Sequence, residues 1–217
     1  RTLTASIVNF VDTLAGGTNG LTITGNLDLD GAATGLTTLE VSGTSNLGAD
    51  VTTSSTQTYT SGVTLSGANR TLEGTTVNFV STLAGGTNGL TITGNLDLDG
   101  AATGLTTLEV SGTSNLGADV TTSSTQTYTS GVTLSGANRT LEGTTVNFVS
   151  TLAGGTNGLT ITGNLDLDGA ATGLTTLEVS GTSNLGASVT TSSTQTYSGD
   201  VTISADISLN TSGGDVT

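Results

Sequence analysis

The chain has 217 residues, a formal charge of −14 against only three cations (Arg1, Arg70 and Arg139), 33% apolar and 3% aromatic residues, and no Pro, Cys, Met, Trp, His or Lys. A typical globular domain is roughly 45–50% apolar, so a single wide core is excluded, as are thiol and imidazole chemistry, zinc sites of the usual kind and a disulfide framework. The acidic balance opposes phosphate backbones and anionic surfaces, and no stretch approaches the ~20 apolar residues of a spanning helix; neither nucleic-acid binding nor membrane insertion is expected. The N-terminus carries no charged-then-apolar signal pattern and no initiator Met, so the sequence reads as a mature or internal fragment.

Residues 13–49, 82–118 and 151–187 are identical, which sets a period of 69 and signals a repeat architecture. The repeats run 1–69, 70–138 and 139–207, with a partial coil at 208–217, all in one continuous domain. Copies differ at their edges: Thr4-Ala5-Ser6-Ile7 stands against Glu73-Gly74-Thr75-Thr76, and Asp50 and Asp119 become Ser188. The last copy departs furthest, from Ser198 onward.

In chain order, Phe10 and its equivalents Phe79 and Phe148 are predicted to face inward, since Val77 and Phe79 share strand parity. At 21–30 the alternation is strict: Leu21, Ile23, Leu27 and Leu29 on one face, Thr22, Thr24, Asp28 and Asp30 on the other, which is a strand period. Three related starts lie within the period, LTITGNLDL at 21, LEVSGTSNL at 39 and VTLSGANRTL at 63, each turning at a glycine (Gly25, Gly43, Gly67). Taken as coil starts, Leu21, Leu39 and Val63, with Leu90 opening the next copy, divide the period into three coils of increasing length. Helix is disfavoured, because Thr (51 residues), Ser, Asn and Gly (33 residues) dominate. The predicted fold is all-β: a parallel β-helix (β-solenoid) of about three coils per repeat, right-handed by the rule for strand crossovers. On this division Phe10, Phe79 and Phe148, like Tyr59, Tyr128 and Tyr197, stand three coils apart and form no continuous aromatic ladder.

The sharpest candidate site is Asn26, Asp28, Asp30 and Gly31, repeated at Asn95, Asp97, Asp99, Gly100 and at Asn164, Asp166, Asp168, Gly169. It mimics the opening of a calcium loop, where alternate oxygen ligands converge as the chain turns at Gly. The closing position falls on Thr37, however, and Glu40 comes three residues late. The apolar Leu27 and Leu29 between the acids suit an extended strand with a solvated acidic face, and a strand does not wrap an ion. Calcium is the one cofactor this pattern raises. GGTNGLTIT at 16–24 matches the calcium-binding nonapeptide only in its glycines.

Two carboxylates on one strand face stand ~6.5–7 Å apart, within the range glycosidases use, but nothing marks a cleft, a cationic group or an aromatic platform beside them. No enzyme is expected. Thr-rich solenoids can bind ice when paired Thr files recur on every coil; here the outward pairs Thr22/Thr24, Glu40/Ser42 and Thr64/Ser66 place a Glu in the file, and TQTYT at 56–60 occurs once per repeat. Arg1, Arg70 and Arg139 occupy the same turn of the sub-repeat and are expected to be solvated there; Glu73 and Glu142, three residues after Arg70 and Arg139, offer a local pair worth at most ~1 kcal/mol. Asn69-Arg70-Thr71 and Asn138-Arg139-Thr140 match the N-glycosylation sequon.

The phrases TQTYTSGVTLSGANRTLEG, TQTYSGDVTISADISL and LNTSGGDVT resemble the shaft repeats of filamentous-haemagglutinin-like large exoproteins, bacterial adhesins exported by two-partner secretion. The resemblance covers nearly the whole chain. It implies a right-handed parallel β-helix, secreted or attached to the bacterial surface, serving as a stalk or matrix fibre, with host or matrix ligands held by regions outside this segment. No functional residues carry over. Open strand edges at the ends of a solenoid recruit other strands, so the expected partner is the chain itself, either through further repeats or as a filament subunit stacked head to tail.

Overall fold

A computed structural model describes residues 1–217. The alternating Thr- and Gly-rich sequence forms 26 strands and no helix, from Thr2–Phe10 to Leu209–Thr211. They join in one sheet that winds as a parallel β-solenoid of about 11 coils. In the strand Leu90–Leu98 the residues Leu90, Ile92, Leu96 and Leu98 are buried while Thr91 and Asp97 face outward, the parity predicted for Leu21–Asp30. The interior is narrow: 59 of 217 residues are buried, and 44 of them form a single hydrophobic cluster running through the coils. Backbone hydrogen bonds number 142, about two for every three residues, which is an ordinary share. Their direction is what differs, since they tie each coil to the next along the axis.

The register refines the coil division. Leu21 stacks under Leu39, as the first two starts predict. Leu39 then lies under Gln57, and Val63, the third start, sits on another side between Ser45 and Leu83. The longer second and third coils of the predicted division do not occur. Following one side upward gives Leu14, Ala33, Val51, Leu72, Ile92, Val110, Tyr128, Phe148, Leu167, Leu185 and Ile203, so every coil is close to the length of the first.

Each coil has three sides, and the 69-residue period is not a whole number of coils. Leu3, Ile23, Val41, Tyr59, Phe79, Leu98 and Leu116 stack on one side. Their equivalents one period later, Leu72 to Leu185, belong to the side just traced. The next equivalents, Leu141, Ile161, Val179 and Tyr197, stack on the third side, the one that begins with Val8 and Leu27. From Leu14 to Leu72 is three coils, and Leu14 itself stands two sides beyond Leu3, so a repeat occupies three and two-thirds coils, or eleven sides. Three repeats fill eleven coils. Phe10, Phe79 and Phe148 are consequently on three different sides, paired with Leu29, Leu98 and Leu167, instead of three coils apart on one.

Phe79 and Phe148 are fully buried, as their parity predicts, and Phe10 is half-buried. Each of the first two stacks on a tyrosine of the preceding coil: Tyr59–Phe79 and Tyr128–Phe148 have ring centroids 5.5 Å apart and nearly parallel planes, an arrangement worth ~0.5–1.5 kcal/mol beyond area burial.

A close backbone approach recurs once per repeat, at Gly25, Gly94 and Gly163; in the second copy Glu73-Gly74-Thr75-Thr76 bulges against Thr93-Gly94-Asn95. Gly94 has φ +136°, and a Cβ there would run into the carbonyl oxygen of Gly74. Gly94→Ala should therefore cost about 2–5 kcal/mol from overpacking and backbone strain together. Chemical denaturation of the variant beside the parent chain reads this directly, and an unshifted midpoint would mean that the two strands part freely.

Candidate functional site

The acidic motif lies on Leu14–Leu29, Leu90–Leu98 and Leu159–Leu167 and the corners that follow them. Because the next coil passes directly over this one, Asn46 stands above Asp28, and its Nδ2 donates to Asp28 Oδ1 at 2.8 Å. Asn115 serves Asp97 and Asn184 serves Asp166 in the same way, each at 2.8 Å. One coil below stand Asn9, Asn78 and Asn147, so Asp28, Asp97 and Asp166 each occupy the middle of an Asn–Asp–Asn file. Asn26, Asn95 and Asn164 each accept, through Oδ1, the backbone N–H of Thr44, Thr113 and Thr182 at 2.9 Å. Asp30, Asp99 and Asp168 stand exposed past the strand ends.

Asn26 and Asp28 thus direct an oxygen up the axis to the next coil, while Asp30 turns to solvent. No group of three or more acidic side chains comes together at the spacing a metal ion needs. What the motif does form is a shallow polar groove, about 290 Å³, lined by Asn26, Asp28, Thr44, Asn46 and Thr64. It recurs around Asn164, Asp166, Thr182, Asn184 and Thr202, where Asp200 adds a carboxylate. The groove offers amide, hydroxyl and carboxylate groups, with the Asp oxygen nearest the next coil already occupied by an amide donor.

The outward files also differ from the sequence expectation. Thr22 lies under Glu40, as predicted, but Glu40 lies under Thr58; Thr64 is on another side, between Asn46 and Ala84. A Glu still separates the threonines. Arg70 pairs with Asp50 of the coil below at 3.7 Å, and Arg139 with Asp119 at 3.6 Å, in place of the local Glu73 and Glu142. The carboxylates are half exposed, so each pair contributes at most ~1 kcal/mol.

The third copy removes both partners together. Ser188 replaces the Asp, and the register of Val189 with Leu209 puts Ile207 where the Arg would be. Ser208 N donates to Ser188 Oγ at 3.0 Å, retaining the bond that Thr71 N makes to Asp50 Oδ1 at 2.9 Å.

Sequence reasoning missed the polar residues inside the tube. Gln57, Gln126 and Gln195 are wholly buried. Gln57 Nε2 donates to the carbonyls of Val51 (3.1 Å) and Glu73 (2.7 Å), and Gln57 Oε1 accepts the Tyr59 hydroxyl at 3.0 Å. Gln126 repeats this with Val120, Glu142 and Tyr128. The Glu73 carbonyl lies at the edge of the bulge at Gly74 and Thr75, where the amide meets it. Both tyrosines are held above their ordinary value of 10.0 by burial, and half-buried Tyr197 is pushed up to about 12.

Comparison with family models, with curated proteins and with solved structures finds no match.

Two expectations test the buried network. Gln126→Leu keeps the volume but removes the amide donor to the Val120 and Glu142 carbonyls and the acceptor of the Tyr128 hydroxyl, and should cost about 2–4 kcal/mol, whereas an equal substitution at exposed Glu109 should change stability little; equal losses would refute the role given to Gln126. Because burial raises the tyrosine pKa values above those of the unfolded chain, their contribution is intact below pH 10 and is lost as pH climbs from 10 past the value near 12 of Tyr197. In the folded chain phenolate absorbance should stay low through about pH 10–11, the first step should be that of Tyr197 alone near pH 12, and the two buried phenols should ionise only with unfolding. Titration of all three tyrosines near pH 10 in a chain that keeps its circular dichroism would contradict this.

Proposed function

We propose that this chain is a structural shaft, a non-enzymatic spacer of a secreted or surface-attached bacterial adhesin or fibre. The supporting observation is the fractional repeat. Eleven and three share no factor, so each side, read along the axis, meets every segment of the repeat once before the series begins again. The three sides then carry one pattern, displaced axially.

A rod built this way has no privileged side. Its exposed carboxylates and hydroxyls are spread around the circumference, and a net charge of −14 gives lateral self-repulsion. Reach scales with coil number at ~4.8 Å per coil, which makes length the quantity that repetition controls. The likeness of TQTYTSGVTLSGANRTLEG to adhesin shaft repeats points the same way. Recognition, on this reading, belongs to other parts of a longer protein.

The test is a length series. Inserting one further repeat should extend the particle by ~18 Å at constant cross-section, as small-angle scattering or negative-stain imaging would read. A rise in cross-section at constant length would overturn the spacer reading.

A further inference from the structure

Without Cys, Met, Trp or His, few side chains here are open to oxidation. Among the labile features that remain is the Asn–Gly dipeptide. A glycine leaves its own backbone nitrogen unobstructed, so that nitrogen can close onto the carboxamide carbon of the preceding asparagine. The repeat carries this pair as Asn88-Gly89 and Asn157-Gly158, with a first copy at Asn19-Gly20.

Neither member can be exchanged freely. Gly86 and Thr87 are both left-handed (φ +57° and +69°), and the turn they make brings Asn88 Nδ2 within reach of three carbonyl oxygens: Leu65 at 3.3 Å, Gly85 at 3.0 Å and Gly86 at 3.3 Å. At Gly89 a Cβ would lie 2.5 Å from Thr107 Oγ1 and 3.2 Å from Asn69 Cγ, so a side chain there displaces its neighbours. The fold demands the labile pair.

The nitrogen that would attack is occupied. Gly89 N donates to Asn69 Oδ1 of the preceding coil at 2.8 Å, and Gly158 N to Asn138 Oδ1 at 2.8 Å. We propose that Asn88 and Asn157 are latent deamidation sites, and that Asn69 and Asn138 are positioning residues that hold them shut. The hydrogen bond keeps the proton on the glycine nitrogen and fixes its peptide plane, while the three carbonyls fix the carboxamide.

When the guard is absent the reaction needs only water. Gly89 N loses its proton and bonds to Asn88 Cγ, the side-chain nitrogen leaves as ammonia, and a five-membered succinimide forms. Water then opens the ring to aspartate or isoaspartate, with no change of oxidation state. The product would set carboxylate oxygen against the carbonyls of Leu65, Gly85 and Gly86, or lengthen the backbone by one carbon, and either breaks the coil at that corner.

The experiment compares the full chain with Asn69→Ala and Asn69→Asp after incubation in mildly alkaline buffer. It follows, by peptide mass, the exchange of –NH2 for –OH at Asn88 and Asn157. Asn69→Ala should speed deamidation at Asn88 about five- to tenfold, the rate equivalent of one lost hydrogen bond. Asn157, whose guard Asn138 is unchanged, should keep the parent rate, and Asn69→Asp, which retains an acceptor oxygen, should keep Asn88 slow. The proposal falls if Asn88 is no faster in Asn69→Ala, if Asn69→Asp is as fast as Asn69→Ala, or if Asn157 accelerates in step, since that would reflect general loosening.

Discussion

Coil-on-coil pairing in parallel register is the constraint from which the rest follows. Each turn must bring the chain back directly above itself, so a position that faces inward in one coil is followed by one that faces inward in the next. A file of Leu, Val and Ile along each side is then sufficient core. This is how 33% apolar residues suffice for a chain of this length, where a globular domain of equal size would need a broader interior. The same pairing places like beside like on the outside, and it sets Asn above and below each of Asp28, Asp97 and Asp166.

Where the pairing is disturbed, polar residues repair it. The bulge at Gly74-Thr75 turns the Glu73 carbonyl inward, and Gln57 enters the core to meet it. The Tyr59 hydroxyl, carried inward with its ring, finds its acceptor on the same amide. At the third copy the loss of Asp at Ser188 coincides with the loss of Arg at Ile207. The change is a paired one within a single chain: the half-buried Ile207 packs against the core, and the Ser188 hydroxyl preserves the one hydrogen bond the corner requires.

The solenoid was legible because alternation and the long period are both carried by side chains that repeat without variation. The phase of the coils was not. Val63 looks like the start of a coil because VTLS echoes LTIT, but the residue above Leu39 is Gln57, a polar side chain in an inward position, and no apolar pattern announces it. The partner of Asp28 lay closer to reach: the step from Leu21 to Leu39, once accepted, also carries Asp28 to Asn46. Reading the acids along the strand gave a calcium-like motif, whereas reading them along the axis gives each of Asp28, Asp97 and Asp166 an amide donor from the coil above. Arg70 and Asp50 were missed for the same reason, since their contact spans a coil and not a turn of sequence.

The fraction left over in each repeat makes copy number a rotary setting. Inserting or deleting one unit swings whatever is joined beyond it by a third of a circle, and only a change of three units returns it to its former heading. A change in copy number would thus alter bearing as well as extension, and anything joined beyond the last coil would take one of three headings.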